Sequence, residues 1–199
     1  PDWVNEEEFG LSRALTFNAD GTMLCWIKYD ESKVKQYSLQ FFKGSKPERM
    51  ENATYPSTYS YKYPKAGKEN SIVSAWSFDI KSRRTQQLNI PLAEDGYMPR
   101  ILSTEDPDKI VIFTMNRHQD VLNLYSVSPR STVSKLLIKE SVPKYVKEET
   151  LDNIRLGKDY ILLPSDRDGF MHLYLYSGTG TLKRKIGDGK FDIKNVYGV

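Results

Sequence analysis

An all-β fold, a partial β-propeller of about three to four blades of four-stranded antiparallel sheets, is predicted by three observations. One turn-and-strand pattern occurs three times along the chain. Its strands are short, and the third strand of each unit alternates with period two, as half-buried strands do. Its spacing, about 40 to 50 residues in the second and third units, is that of a propeller blade. A β-sandwich of short strands is the competing reading, and the recurrence of turns at equivalent places speaks against it.

The first unit, about 10–92, opens with Leu15-Thr16-Phe17 and the turn Asn18-Ala19-Asp20-Gly21. The apolar run Met23-Leu24-Cys25-Trp26-Ile27 follows. A third strand is expected over 73–79 and an edge-like fourth over 85–90. Residues 39–69 are expected to be an insertion, an extended arm dense in Tyr and Pro. Tyr offers large contact area at low entropic cost, and Pro confines strand pairing to edges. The same stretch read without a partner is a loop of polar aromatics.

The second unit, about 97–141, repeats the order: Arg100-Ile101-Leu102, the turn Glu105-Asp106-Pro107-Asp108, then Ile110-Val111-Ile112-Phe113. Strands over 121–127 and 133–139 complete it. The third, about 150–189, runs through Asn153-Ile154-Arg155-Leu156, Gly157-Lys158-Asp159 and Tyr160-Ile161-Leu162-Leu163. Strands over 171–176 and 181–186 close it, and 191–199 is expected to begin a further blade. Closed propellers usually carry at least four blades, so two blade faces are expected to be bare. The opening at Pro1 inside a motif and the stop at Val199 lead to the expectation of a piece of a longer protein.

Composition excludes several functions. The net charge of +3 comes from 29 basic and 26 acidic residues. A nucleic-acid footprint usually shows as a clustered basic excess, so no nucleic-acid partner is expected. No stretch approaches the roughly 20 apolar residues of a membrane span. The single Cys25 rules out an internal disulfide and a multi-cysteine metal site. Neither His118 nor His172 has metal-ligand spacing with other His or Cys, and no metal or cofactor is expected.

The stretch that asks for chemistry is Asp2-Trp3-Val4-Asn5-Glu6-Glu7-Glu8-Phe9. Three consecutive carboxylates repel one another, and each seeks water or a cation. Trp3, Val4 and Phe9 pull the same stretch toward an apolar surface. One reading is an acidic first turn of a helix, where negative charge suits the dipole. The other is a carboxylate clamp for a cation such as a ligand's ammonium group.

Asp2-Trp3-Val4-Asn5-Glu6-Glu7-Glu8 resembles the segment that carries the double-glutamate motif of the dipeptidyl peptidase IV family. These are serine exopeptidases of the prolyl oligopeptidase superfamily. There the second and third glutamates anchor the substrate's free α-amino group, so the resemblance implies that role for Glu7 and Glu8. The family commonly has Tyr where this chain has Asn5. Tyr63-Pro64-Lys65-Ala66-Gly67 is similar to the end of the family's extended propeller arm, which implies a homodimer contact near 39–67. Asp30-Glu31-Ser32-Lys33-Val34 and Asp166-Arg167-Asp168-Gly169-Phe170 resemble further family strings, the second common in bacterial members. The resemblance also implies export to the periplasm or cell surface.

Hydrolysis in that family needs a Ser, an Asp and a His from an α/β-hydrolase domain. No Gly-x-Ser-x-Gly pentapeptide occurs here, and Ser177-Gly178-Thr179-Gly180 reads as a hairpin turn. Asp166-Arg167-Asp168-Gly169 lacks the spacing of a calcium loop and reads as a blade turn with an internal ion pair. No catalytic residue is therefore expected in this chain. It would select substrate, with catalysis left to a hydrolase domain of the same parent chain. A carboxylate pair that grips the ammonium measures two residues from the scissile bond, and losing one partner should cost about 2–5 kcal/mol in productive binding. The alternative is a non-catalytic propeller that binds other proteins through its loops and arm.

Overall fold

The structure, a computed structural model, describes residues 1–42 and 55–197. A short helix, α1 (Trp3–Glu7), precedes the strands. The strands that follow are β1 (Leu15–Phe17), β2 (Met23–Asp30), β3 (Gln36–Phe41), β4 (Ser57–Lys62), β5 (Ile72–Asp79) and β6 (Thr85–Gln87). The middle of the chain holds β7 (Tyr97–Ser103), β8 (Ile110–Met115), β9 (Val121–Val127) and β10 (Ser134–Ser141). A second helix, α2 (Glu148–Asn153), leads into β11 (Arg155–Leu156), β12 (Tyr160–Ser165), β13 (His172–Ser177) and β14 (Leu182–Ile186).

Three four-stranded antiparallel sheets result, ordered β1-β2-β5-β6, β7-β8-β9-β10 and β11-β12-β13-β14. Each is a blade, and together they form part of an all-β propeller. The turn Asn18–Gly21 shows why the units start where they do. Asn18 Oδ1 accepts the Met23 N–H at 2.8 Å, and Gly21 takes a φ of +70° that a side chain would resist.

Two apolar clusters hold the sheets together. One joins Met23, Cys25, Ile27, Val73 and Ala75 of the first sheet to Ile110, Ile112 and Val127 of the second. The other joins Val111, Phe113 and Met115 to Ile161, Leu163, Tyr174 and Tyr176 of the third. Successive residues of β8 thus face opposite neighbours, which is why its run is apolar without alternation and wholly buried. Among the described residues the first sheet packs against another blade on one side only. On its other side Leu24 pairs with Phe78 and Trp26 with Trp76, all half-buried, flanked by exposed Leu15 and Phe17.

The inserted arm is a separate two-stranded ribbon. Its first strand starts at Gln36, ahead of the expected Leu39, because Gln36 already pairs with Lys62. Residues 43–54 of the expected arm lie outside the described residues. In the third unit the innermost strand, expected over 153–156, is only Arg155–Leu156. Helix α2 occupies the chain up to Asn153, with Thr150 and Leu151 buried. Residues 187–197 carry no strand among the described residues. They run against the third blade instead, with Ile193 N–H donating to Met171 O at 2.8 Å.

The expected internal ion pair of the Asp166–Gly169 turn is corrected by the structure. Arg167 reaches back to the second blade and pairs with buried Glu140, which also accepts from Ser165. Asp166 pairs with Lys147 at 3.2 Å and Asp168 with Lys185 at 3.0 Å. The guanidinium lies 4.2 Å from the Tyr174 ring centre, whose hydroxyl donates to Asp168. The charged partners Glu140, Lys147 and Lys185 all lie outside the turn, so no local pattern announces them.

Candidate functional site

Asp2 starts α1 as its N-cap. Its carboxylate accepts from the Asn5 N–H at 3.0 Å and from Asn5 Nδ2 at 2.7 Å. Asn5 is thereby buried as the reciprocal partner of the cap, a use that the sequence did not suggest. Val4 and Phe9 bury themselves in the cluster between the second and third blades. The Phe9 ring meets the Tyr97 ring edge-on at 5.1 Å, and Trp3 lies 4.2 Å from Tyr63 at the base of the arm. The apolar bracket around the acidic run is therefore an anchor to the scaffold.

The carboxylates themselves are exposed. Glu6 lies in the first turn, but Glu7 is the last helical residue and Glu8 the C-cap, with its N–H on Val4 O at 2.8 Å. A helix C-terminus carries the negative end of the dipole, and α1 has no basic residue in its last turn. The reading of the run as a favourable acidic first turn thus covers Glu6 and fails for Glu7 and Glu8. Two negative charges stand where the helix itself disfavours them.

Glu8 borders a cavity of about 1100 Å³ between α1, the arm base and the second blade, together with Trp3, Tyr63, Asn70, Arg117 and His118. Glu7 is not among its lining residues. Glu6 faces a different hollow of about 460 Å³ with Glu31 and Lys62. Consecutive glutamates are thus divided between surroundings, as successive positions of a helix must be. Arg117 donates to Lys68 O at 2.6 Å and closes the cavity wall against the arm. Sequence reasoning missed Arg117 and Asn70, and it weighed His118 as a metal ligand. Their signal is only spatial.

The arm ribbon has two unlike faces. Tyr37 pairs with Tyr61, Leu39 with Tyr59 and Phe41 with Ser57 on one face. Gln36, Ser38, Gln40, Thr58 and Ser60 lie on the other. Ring contacts run from Phe41 through Tyr59, Tyr61 and Tyr63 to Trp3.

Other candidates are structural. Ser177–Gly180 is a hairpin turn closed by Ser177 N–H on Thr181 O at 2.8 Å. Gly180 has φ +90°, and a Cβ there would sit 2.0 Å from Leu137 O of the second blade. His172 is buried in β13, with neither ring nitrogen hydrogen-bonded. Burial pushes the Cys25 thiol up to about 12, far from a reactive thiolate. Among the described residues no group of three or more His, Cys, Asp or Glu could hold a metal, and no helix is long and apolar enough to cross a membrane.

The family described as dipeptidyl peptidase IV (DPP IV) N-terminal region matches residues 1–199. Dipeptidyl peptidase 4 of Trichophyton rubrum is 27% identical over 210 residues, covering 100% of this chain and 26% of that protein. A probable dipeptidyl-aminopeptidase B of Emericella nidulans is 31% identical over 145 residues, covering 69% of this chain and 16% of that protein. Among solved structures, Porphyromonas gingivalis dipeptidyl peptidase 4 superposes with a TM-score of 0.91 at 35% identity, over 100% of this chain and 27% of its own. The chain spans about a quarter of the length of that structure and of the Trichophyton relative.

Proposed function

The chain belongs to the dipeptidyl peptidase IV N-terminal region family, and from that premise we propose that it is the substrate-selecting propeller region of a dipeptidyl-peptidase-type serine exopeptidase. Glu7 and Glu8 anchor the free N-terminus of a peptide. The nucleophile and its partners come from an α/β-hydrolase domain of the same parent chain.

One observation carries this reading. Two exposed carboxylates end a five-residue helix at its electrostatically unfavourable end, on a backbone whose underside is buried. A cation placed there relieves repulsion that nothing within the helix relieves. A peptide ammonium suits it, because it carries three donors and one charge in a compact group. The two carboxylates then form a stop, and the length of the bound dipeptide decides which bond reaches the nucleophile.

The same proposal includes a homodimer through the arm. Its support is Tyr37 and Leu39, two large side chains exposed on one face of the two-stranded ribbon. Export to the periplasm or cell surface belongs to the proposal as well, on family resemblance.

The test uses the full-length protein and a chromogenic Xaa-Pro dipeptide. Glu7→Gln with Glu8→Gln should raise KM by on the order of 30-fold or more while the thermal midpoint stays put. N-acetylation of the substrate should have the same effect on the unaltered protein. Unchanged KM in the double variant overturns the anchor. Loss of all hydrolysis by the unaltered protein points instead to a propeller that binds proteins without cutting them.

A further inference from the structure

We propose that Arg100 is the positioning residue of the amine-anchoring run. Its guanidinium fixes the backbone directly after Glu8, and with it the direction in which Glu7 and Glu8 present their carboxylates. The proposal rests on the anchor reading above.

Arg100 lies on β7, the first strand of the second blade, and its side chain is only 13% exposed. Nη1 donates to Phe9 O at 2.6 Å and to Pro99 O at 2.6 Å. Nη2 donates to Asp152 Oδ1 at 2.5 Å, on α2. One planar group therefore ties three elements: the segment that follows α1, its own strand, and the helix before the third blade. A lysine could supply the charge but not the fork.

Phe9 is gripped by β7 twice, through its ring on Tyr97 and through its carbonyl on Arg100. The turn between is closed by Leu11 N–H on Asn5 O at 2.9 Å, with Gly10 at φ +60°. Phe9 is the residue after Glu8, so with its ring held on Tyr97 and its carbonyl held on Arg100 the chain leaving the helix has little room to turn. The Glu7 and Glu8 side chains are exposed, so no packing around them holds their direction. Their aim thus depends on the backbone, and the backbone depends on Arg100.

A tie between blades would also explain these bonds, so the test must separate aim from stability. In the full-length protein, Arg100→Lys should raise KM for the chromogenic Xaa-Pro dipeptide about tenfold, with kcat nearly unchanged. Labelling of the hydrolase serine by an uncharged fluorophosphonate should keep its rate. On a Glu7→Gln/Glu8→Gln background, Arg100→Lys should add nothing to KM, because no carboxylates remain to be aimed. Should Arg100→Lys fail to fold, Asp152→Asn leaves the Phe9 bond in place and should raise KM about two- to threefold.

Three results overturn the proposal while leaving the anchor intact. They are an unchanged KM, a KM effect that adds in full on the double background, and labelling that slows in step with KM. If Glu7→Gln/Glu8→Gln itself leaves KM unchanged, the anchor fails and this inference falls with it.

Discussion

The middle blade and the arm are both built from neighbouring antiparallel strands, yet they spend their apolar residues in opposite ways. In β8 every residue is buried, since Ile110 and Ile112 face one blade while Val111, Phe113 and Met115 face the other. In the arm, β3 is exposed at Gln36 through Gln40, Tyr37 and Leu39 included. The first carries stability and no chemistry. The second links its aromatic rings to one another and to Trp3 while much of its strand surface stays in solvent. Helix α1 sits between them, with Val4 and Phe9 in the core of the scaffold and Trp3 against the arm's Tyr63. Glu7 and Glu8 can stand in solvent at fixed places here because the other half of the same short segment is buried.

This contrast can be broken most easily at its rigid end. Phe113→Ala should lower the unfolding free energy of the full-length protein by about 3–5 kcal/mol, because a wholly buried ring between two blades leaves a cavity that neither can fill. Denaturant melts would show it, and a loss near zero would mean that the middle blade is not the scaffold.

The segment between is expected to respond less. Asp2→Ala removes the cap of α1 and leaves buried Asn5 without its partner, at about 1–2 kcal/mol. The sharper readout is KM for a free-amine dipeptide, which should rise along with the loss of stability.

The arm should respond least in stability. Tyr37→Ser with Leu39→Ser should change the unfolding free energy by no more than about 0.5 kcal/mol. The same pair should weaken self-association at least tenfold, as sedimentation equilibrium would read it. A large stability loss with unchanged association would reverse the contrast.

Much of this was legible in the residues alone. Strands β5, β9 and β13 follow from period-two alternation, β2 from an apolar run, and the Asn18–Gly21 turn from residue chemistry that acts over four positions. The repeat of that grammar was enough for the blade, since each sheet is a meander of consecutive strands apart from the inserted arm. Helix α2 was missed because its six residues, with Thr150 and Leu151 buried, are too few to show a helical period. The acidic run was visible as an oddity, but its place at the wrong end of a helix was not.

The sequence by itself determined the local elements, because backbone preference and side-chain alternation are settled within a few residues. Only the tertiary structure decided which partners meet: Arg167 with Glu140 rather than its neighbours, Arg100 with Phe9 and Asp152, and Glu8 rather than Glu7 at the cavity. Those outcomes depend on how one blade lies against the next. That packing is set by whole faces of apolar side chains, and no single stretch of sequence contains both sides of it.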